Sequence, residues 1–169
     1  MISKATIRTF IRHARELGAI EAKRIEAASI VTAPWVRLKC RYGCGAYNTS
    51  LCCPPHTPTY LETREVIASY KYATLVHCKD VGSSTAIVCE MERRIFLAGY
   101  YKAFGLGNGP CRLCAKCNTR GCIHTEQARP SMEACGIDVY ATVRANGYPI
   151  EVVKDSSDDA NYYGLVLIE

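Results

Sequence analysis

Apolar residues recur with a helical period in several parts of the chain. Over residues 3–17 they fall on one face of a helix, which Gly18 is expected to end. The sequence Thr59-x-x-Glu62 is a capping box and predicts a helix that continues to about Ser69. Other segments with helical spacing or capping signals cover 84–104, 130–135 and 137–145.

Strands are expected where apolar or β-branched residues form shorter runs. The run YATLVHC predicts a buried strand over 72–78, and the short segment 20–25 is interpreted as another strand. Near the C-terminal end, 150–154 and 162–168 are expected to be two strands joined by the polar turn DSSDDAN. These elements indicate an α+β (mixed α/β) fold, with a sheet of about four strands and helices packed on it. The 169 residues contain no linker, so we expect one domain over 1–169.

Cysteine is the unusual feature of the composition, with 11 residues in a chain of 169. This content indicates either the disulfides of a small secreted domain or metal binding in a reducing cell. The count is odd, and the N-terminal segment lacks the apolar stretch of a secretory signal, so metal binding is favoured. No stretch approaches the roughly 18 apolar residues of a membrane span. We therefore expect a cytoplasmic protein with no membrane partner.

Four closely spaced cysteines lie in a loop predicted over 107–124. Their spacing is C-x2-C-x2-C-x4-C, and this second cysteine group consists of Cys111, Cys114, Cys117 and Cys122. Successive C-x2-C steps curl the backbone so that the sulfurs converge on one iron–sulfur cube, as in bacterial ferredoxins. A single zinc ion prefers two separated C-x2-C pairs, although Cys122 with His124 leaves a zinc site open. The spacing therefore favours a [4Fe–4S] cluster over zinc.

Another set of cysteines lies in a second predicted loop, over 37–58. It contains, in order, Cys40, Cys44, Cys52, Cys53, Pro54 and Pro55. The side chains of adjacent cysteines diverge, so we predict Cys53, which leads into the prolines, as the ligand and Cys52 as spare. The first cysteine group is thus Cys40, Cys44 and Cys53. The fourth ligand stays open between Cys122, Cys135, Cys52 and no protein ligand, and the last alternative would leave one iron open to substrate.

The remaining thiols and the net charge say less about function than the two cysteine groups do. Cys78 and Cys89 stand alone on predicted elements and are expected to be core thiols. The formal net charge is +5, and basic residues flank both cysteine groups. Each oxidised [4Fe–4S] cluster with four thiolates adds about −2, so the cations mainly offset metal sites. Nucleic acid is therefore not an expected partner.

Four segments together form one pattern: WVRLKCRYGCGAY, CCPPHTPT, GPCRLCAKC and ARPSMEACGID. This pattern resembles a family of small predicted metal-binding proteins of anaerobic bacteria and archaea, known as domain of unknown function 2284. The resemblance implies oxygen-sensitive iron–sulfur binding in the cytoplasm, and it supplies no substrate. In that family a single cysteine precedes Pro-Pro and corresponds to Cys53, so the resemblance implies seven core ligands.

Three functions follow from these observations. The leading interpretation is an iron–sulfur protein with one or two [4Fe–4S] clusters, acting in low-potential electron transfer or redox chemistry with a redox partner protein. The first alternative is a cluster-dependent enzyme with an open iron site on the three-cysteine group. The second alternative is a zinc-binding interaction module. A homo-oligomer is compatible with all three.

Overall fold

The computed structural model describes residues 2–80, 82–155, 158 and 160–169. The helices within these residues are α1 (Lys4–Glu16), α2 (Pro34–Gly43), α3 (Tyr60–Ala68), α4 (Ser83–Leu97) and α5 (Val139–Ala145). The strands are β1 (Glu21–Glu26), β2 (Tyr72–Cys78), β3 (Phe104–Leu106) and β4 (Tyr162–Leu167). Short 3-10 turns cover Ala27–Ser29 and Glu133–Cys135. None of the described helices is long and apolar enough to cross a membrane.

The four strands form one antiparallel sheet in the order β1-β2-β4-β3. In the centre of the sheet, Leu75 of β2 lies opposite Lys23 of β1 on one side and Leu165 of β4 on the other. Every residue of β2 is buried, which fits a central strand that is covered on both faces. The predicted fold class, mixed α+β with a sheet of about four strands, is confirmed.

Helices cover both faces of this sheet, because alternate strand residues point to opposite sides. One core contains Leu75 and Leu165, together with Met132, Ile137 and Val143 from the 3-10 turn and α5 region. The other core contains Val76 and Val166, together with Phe10 of α1 and Met91 of α4. The sheet is therefore the middle layer of three, and the cysteine segments lie outside it.

Two predicted elements were wrong on the β3 side of the sheet. The helix expected over 84–104 ends at Leu97, and the chain continues into β3. Gly105 belongs to this strand, where an added Cβ would lie 3.0 Å from the carbonyl oxygen of Val88, so a larger residue would require β3 or α4 to shift by a few tenths of an ångström. The strand expected over 150–154 does not form, and β3 pairs with β4 instead. Three residues of the predicted turn DSSDDAN, at 156, 157 and 159, lie outside the described residues.

The predicted cysteine loops differ from each other in the structure. Residues 110–129 contain no helix or strand, whereas part of the 37–58 segment is helical, because α2 runs from Pro34 to Gly43. Pro34 occupies the first turn of α2, where a missing backbone N–H costs nothing. Cys40 therefore lies on a helix and not in a loop, which corrects the prediction. The helical turn expected after Pro130 is reduced to the 3-10 turn at Glu133–Cys135.

Residues 130–138 tie the two cysteine segments together. The backbone N–H of Met132 donates to the carbonyl oxygen of Gly107 at 3.0 Å, just before the second cysteine group. The backbone N–H of Ala33, just before α2, donates to the carbonyl oxygen of Gly136 at 2.9 Å. One short segment thus fixes where α2 begins and where the second cysteine loop leaves the core.

Replacing Gly136 with alanine is expected to destabilise this junction strongly. Gly136 has φ of +76°, and an added Cβ would lie 2.7 Å from the Cβ of Tyr60. Gly147 is the matched control, because its φ is +75° and its nearest neighbour would be 3.8 Å away. Gly147→Ala should lower the free energy of unfolding by about 1–2 kcal/mol, and Gly136→Ala by at least about 2 kcal/mol more. Urea unfolding measures both, and equal losses would contradict the close contact with Tyr60.

Candidate metal centre

The three thiols of the first cysteine group lie close together. Cys40 is in the last turn of α2, Cys44 caps that helix, and Cys53 is in the loop that follows. Burial raises the pKa of Cys40, and Cys44 and Cys53 raise it further because thiolates at these positions would repel one another. The Cys40 thiol donates to the backbone carbonyl of Glu133, with an Sγ to O distance of 3.9 Å. The helix end and the loop therefore bring three thiols into the same region of the fold.

Backbone hydrogen bonds hold the loop that carries Cys53. Its N–H donates to the carbonyl oxygen of Ser50 at 3.0 Å, and its own carbonyl accepts from His56 N–H at 3.0 Å. The Pro54–Pro55 peptide bond is cis. The carbonyl oxygen of Pro54 accepts from Asn48 N–H at 2.7 Å. Cys53 is only 6% exposed and borders the cavity described below, so the loop turns this residue inward.

Arg37 supplies positive charge beside the first cysteine group. Its guanidinium donates to the backbone carbonyls of Pro58 and Ala134, the latter at 3.1 Å. The Arg37 charge opposes the rise in the pKa of both Cys40 and Cys135. A fixed cation next to these thiols favours their anionic, metal-binding form.

The four thiols of the second cysteine group also gather, on a more open loop. Each is half-buried. The pKa of Cys114 is raised by partial burial and by the neighbouring thiols of Cys117, Cys111 and Cys122. The N–H of His124 donates to the sulfur of Cys122 at 3.4 Å, so a backbone amide already points at a predicted ligand.

Cys52 belongs with the second cysteine group, which sequence reasoning missed. Burial raises the pKa of Cys52 to about 12, and the next contributions come from a charge interaction and a hydrogen bond with Cys111, then from Cys122. The expectation that the side chains of Cys52 and Cys53 diverge agrees with this placement. Cys52 is not simply spare: it faces one thiol group while its neighbour Cys53 faces the other.

Two further thiols lie at the edges of these groups. Cys135 is 3% exposed and lies beside Cys40, Arg37 and Glu133. Cys89, expected in the core, is only half-buried: it interacts with Cys111, and its thiol donates to the backbone carbonyl of Gln127 at 3.2 Å. Cys78 is fully buried in the core, as expected.

The end of the second cysteine loop is anchored to α4 by an ion pair. Arg129 and Glu92 form two hydrogen bonds of 2.6 Å, and each side chain is 15% exposed. The Glu92 carboxylate also accepts from Gly105 N–H at 2.7 Å, which connects the pair to β3. A paired, nearly buried arginine and glutamate fix the loop more firmly than an exposed pair would.

Thiols make up most of the donor set of these sites. Within the described part of the chain, no three His, Cys, Asp or Glu side chains are gathered closely enough to hold one metal ion. Glu133 also lies beside Cys40 and Cys135, and Glu92 beside Cys89. Groups of thiols are the ligand type that iron–sulfur clusters use.

A large cavity opens beside the first cysteine group. Its volume is about 820 Å³, and Cys40, Cys44 and Cys53 contribute to its wall. The rest of the lining is mostly apolar and includes Trp35 and Tyr47. The three thiols therefore border a half-open cavity, whereas the second cysteine group lies on a surface loop.

Comparison with known proteins identifies the family but no close relative. A family described as "Predicted metal-binding protein (DUF2284)" matches residues 23–168. No curated protein and no solved structure matches the chain. The match spans both cysteine groups, the cavity wall and all four strands except the first two residues of β1. The chain therefore belongs to the DUF2284 family of predicted metal-binding proteins.

Proposed function

We propose that this protein binds two [4Fe–4S] clusters and acts in redox chemistry. The second cysteine group holds one cluster with its four thiols, and Cys52 lies against it. The first cysteine group holds the other cluster with three thiols. The ligands for both clusters come from this chain's own loops and from the end of α2.

The observation that carries the proposal is the opposite orientation of two consecutive residues. Cys52 forms a side-chain hydrogen bond with Cys111, whereas Cys53 borders the cavity together with Cys40 and Cys44. Only one peptide unit separates residues that face the two thiol groups, so the two clusters would be close neighbours. Closely spaced redox centres are the arrangement that electron relays use, and the short segment of Cys52 and Cys53 would lie between them.

The surface around the second cysteine group favours a protein as electron partner. Arg112, Lys116 and Arg120 are all exposed on this loop, and Ile123 is 77% exposed. A basic rim around a half-buried redox centre attracts an acidic partner and steers its approach. We propose low-potential electron transfer with such a partner, in an anaerobic cytoplasm, as the role of this loop.

A cluster-dependent enzyme is the second candidate, and the cavity favours it. Three cysteines leave one iron of a four-iron cube without a cysteine ligand, and an open position distinguishes catalytic from structural metal sites in general. The three thiols border the 820 Å³ cavity. In this candidate, electrons arrive through the second cysteine group and are used at the first.

Anaerobic purification with metal, sulfide and EPR analysis tests the proposal. We expect a brown protein with about eight iron and about eight sulfide per chain, and two overlapping EPR signals after reduction. A colourless protein that carries zinc would contradict the proposal and favour an interaction module. About four iron per chain would leave only one cluster and would contradict the two-centre arrangement.

A further inference from the structure

Arg37 is a cation held inside the fold beside the first cysteine group. It is half-buried, and its guanidinium donates to the backbone carbonyls of Pro58 and Ala134. Pro58 lies in the loop that follows Cys53, whereas Ala134 lies in the 3-10 turn Glu133–Cys135. Because carbonyls from two separate segments hold the guanidinium, the fold fixes its position relative to the thiols.

The guanidinium of Arg37 lies next to the thiol of Cys40. The two residues are three positions apart on α2, so they share one face of the helix. The Cys40 thiol donates to the backbone carbonyl of Glu133, and the guanidinium donates to the next carbonyl along the chain, that of Ala134. Two consecutive carbonyls of one turn therefore hold a permanent positive charge and a predicted cluster ligand side by side.

Within the part of the chain that the structure describes, Arg37 belongs to no ion pair. Two acidic side chains lie in the same region. Glu62 is exposed, and its carboxylate accepts from Thr59 N–H at the start of α3. Glu133 is buried beside Cys40, but it makes no ion-pair contact with Arg37. The charge of Arg37 is therefore not cancelled by a contacting carboxylate.

The cations beside the second cysteine group are arranged differently. Arg129 is nearly buried, but its charge is balanced by Glu92 at 2.6 Å. Three further cations of that loop are exposed, namely Arg112, Lys116 and Arg120. Water and salt screen exposed charges far more than buried ones. Arg37 differs from all four in being both half-buried and without an ion pair.

We propose that Arg37 raises the reduction potential of the first cluster and leaves that of the second unchanged. Reduction adds one negative charge to a cluster, and a fixed cation in partly buried surroundings stabilises that added charge. Electrons then pass more readily from the second cluster, which loses one electron, to the first, which gains it. The inference deepens the proposed function and rests on it, because it requires the first cluster.

Redox titration of the anaerobically purified protein, followed by EPR, tests the inference with two variants. Arg37→Gln removes the charge, and Arg37→Lys keeps it. At a fixed potential, Arg37→Gln should lower the ratio of reduced to oxidised first cluster about tenfold, which is a shift of about 59 mV for one electron. Arg37→Lys should shift the potential by less than half as much. The signal of the first cluster is the one that Cys53→Ser removes.

Urea unfolding and a control variant separate charge from structure. Both Arg37 variants lose hydrogen bonds to Pro58 and Ala134, so both should lose stability, and only the charge distinguishes their potentials. Arg8→Gln is the matched control. Arg8 is exposed on α1, which packs on the other face of the sheet from the turn Glu133–Cys135. This variant removes the same charge and should shift neither potential.

The outcomes separate this inference from the proposed function. A lower potential of the first cluster in Arg37→Gln, retained in Arg37→Lys and in Arg8→Gln, supports the inference. An iron-loaded Arg37→Gln with an unchanged potential, or equal shifts in both Arg37 variants, overturns the inference alone. An equal shift of the second cluster, or loss of the first cluster from either Arg37 variant, also overturns it. A protein without iron overturns the proposed function and this inference together.

Discussion

Cys114→Ser is expected to remove one of the two clusters and to destabilise the protein. The substitution takes away one of four thiols on an open loop that has no helix or strand of its own. Iron and sulfide should fall to about half. Because metal binding and folding are linked, the free energy of unfolding should fall by about 3 kcal/mol or more. Iron analysis and anaerobic urea unfolding measure the two effects.

Cys78→Ala is the control for that experiment. Cys78 is fully buried among apolar residues in the core between the sheet and α4. It belongs to neither cysteine group, so its loss should not affect either cluster. This variant should keep all its iron and lose about 1 kcal/mol of stability through the small cavity it creates. If Cys114→Ser retained its full iron content and unfolded at the same urea concentration as the unmodified protein, the assignment of Cys114 as a ligand would be wrong.

Cys52→Ser and Cys53→Ser are expected to affect different clusters although they are adjacent. Cys53→Ser should lose the first cluster and about half of the iron, because it removes one of only three thiols. Cys52→Ser should keep the first cluster and change the EPR signal of the second, because Cys52 lies against Cys111. Each is measured by iron analysis and EPR of the reduced protein.

The Cys114→Ser background makes this comparison decisive, since only the first cluster remains there. Adding Cys52→Ser to it should leave the remaining EPR signal unchanged, and adding Cys53→Ser should abolish that signal. The opposite pattern would refute the orientation of the two residues, and with it the close approach of the two centres.

Elements set by local sequence were predictable. The capping box is present as expected, with Thr59 N–H donating to the Glu62 carboxylate at 2.7 Å and Glu62 N–H donating to the Thr59 hydroxyl at 3.3 Å. The buried strand at Tyr72–Cys78 follows equally from its own composition. By contrast, β3 has only three residues, fewer than the usual five or six of a strand. It forms because it pairs with β4 and packs against α4. Tertiary pairing of that kind leaves no local signal.

The gathering of cysteines was predictable in part, and the surroundings of the thiols were not. Spacing alone defined the two cysteine groups, whose role as metal ligands stays a prediction. It did not indicate which way the side chain of Cys52 points, because that depends on the turn that Cys52 shares with Cys53. Cys89 and Cys111 also come from segments that are adjacent only in the folded chain.

The position of β4 has a consequence for synthesis of the protein. β4 lies between β2 and β3 and pairs with both, yet its residues, Tyr162–Leu167, follow both cysteine groups in the chain. During translation, β1 and β2 can pair early, but β3 has no partner until β4 has left the ribosome. Both cysteine segments are therefore fully synthesised before the sheet that supports them closes, which leaves an interval in which the thiols of both cysteine groups are still accessible.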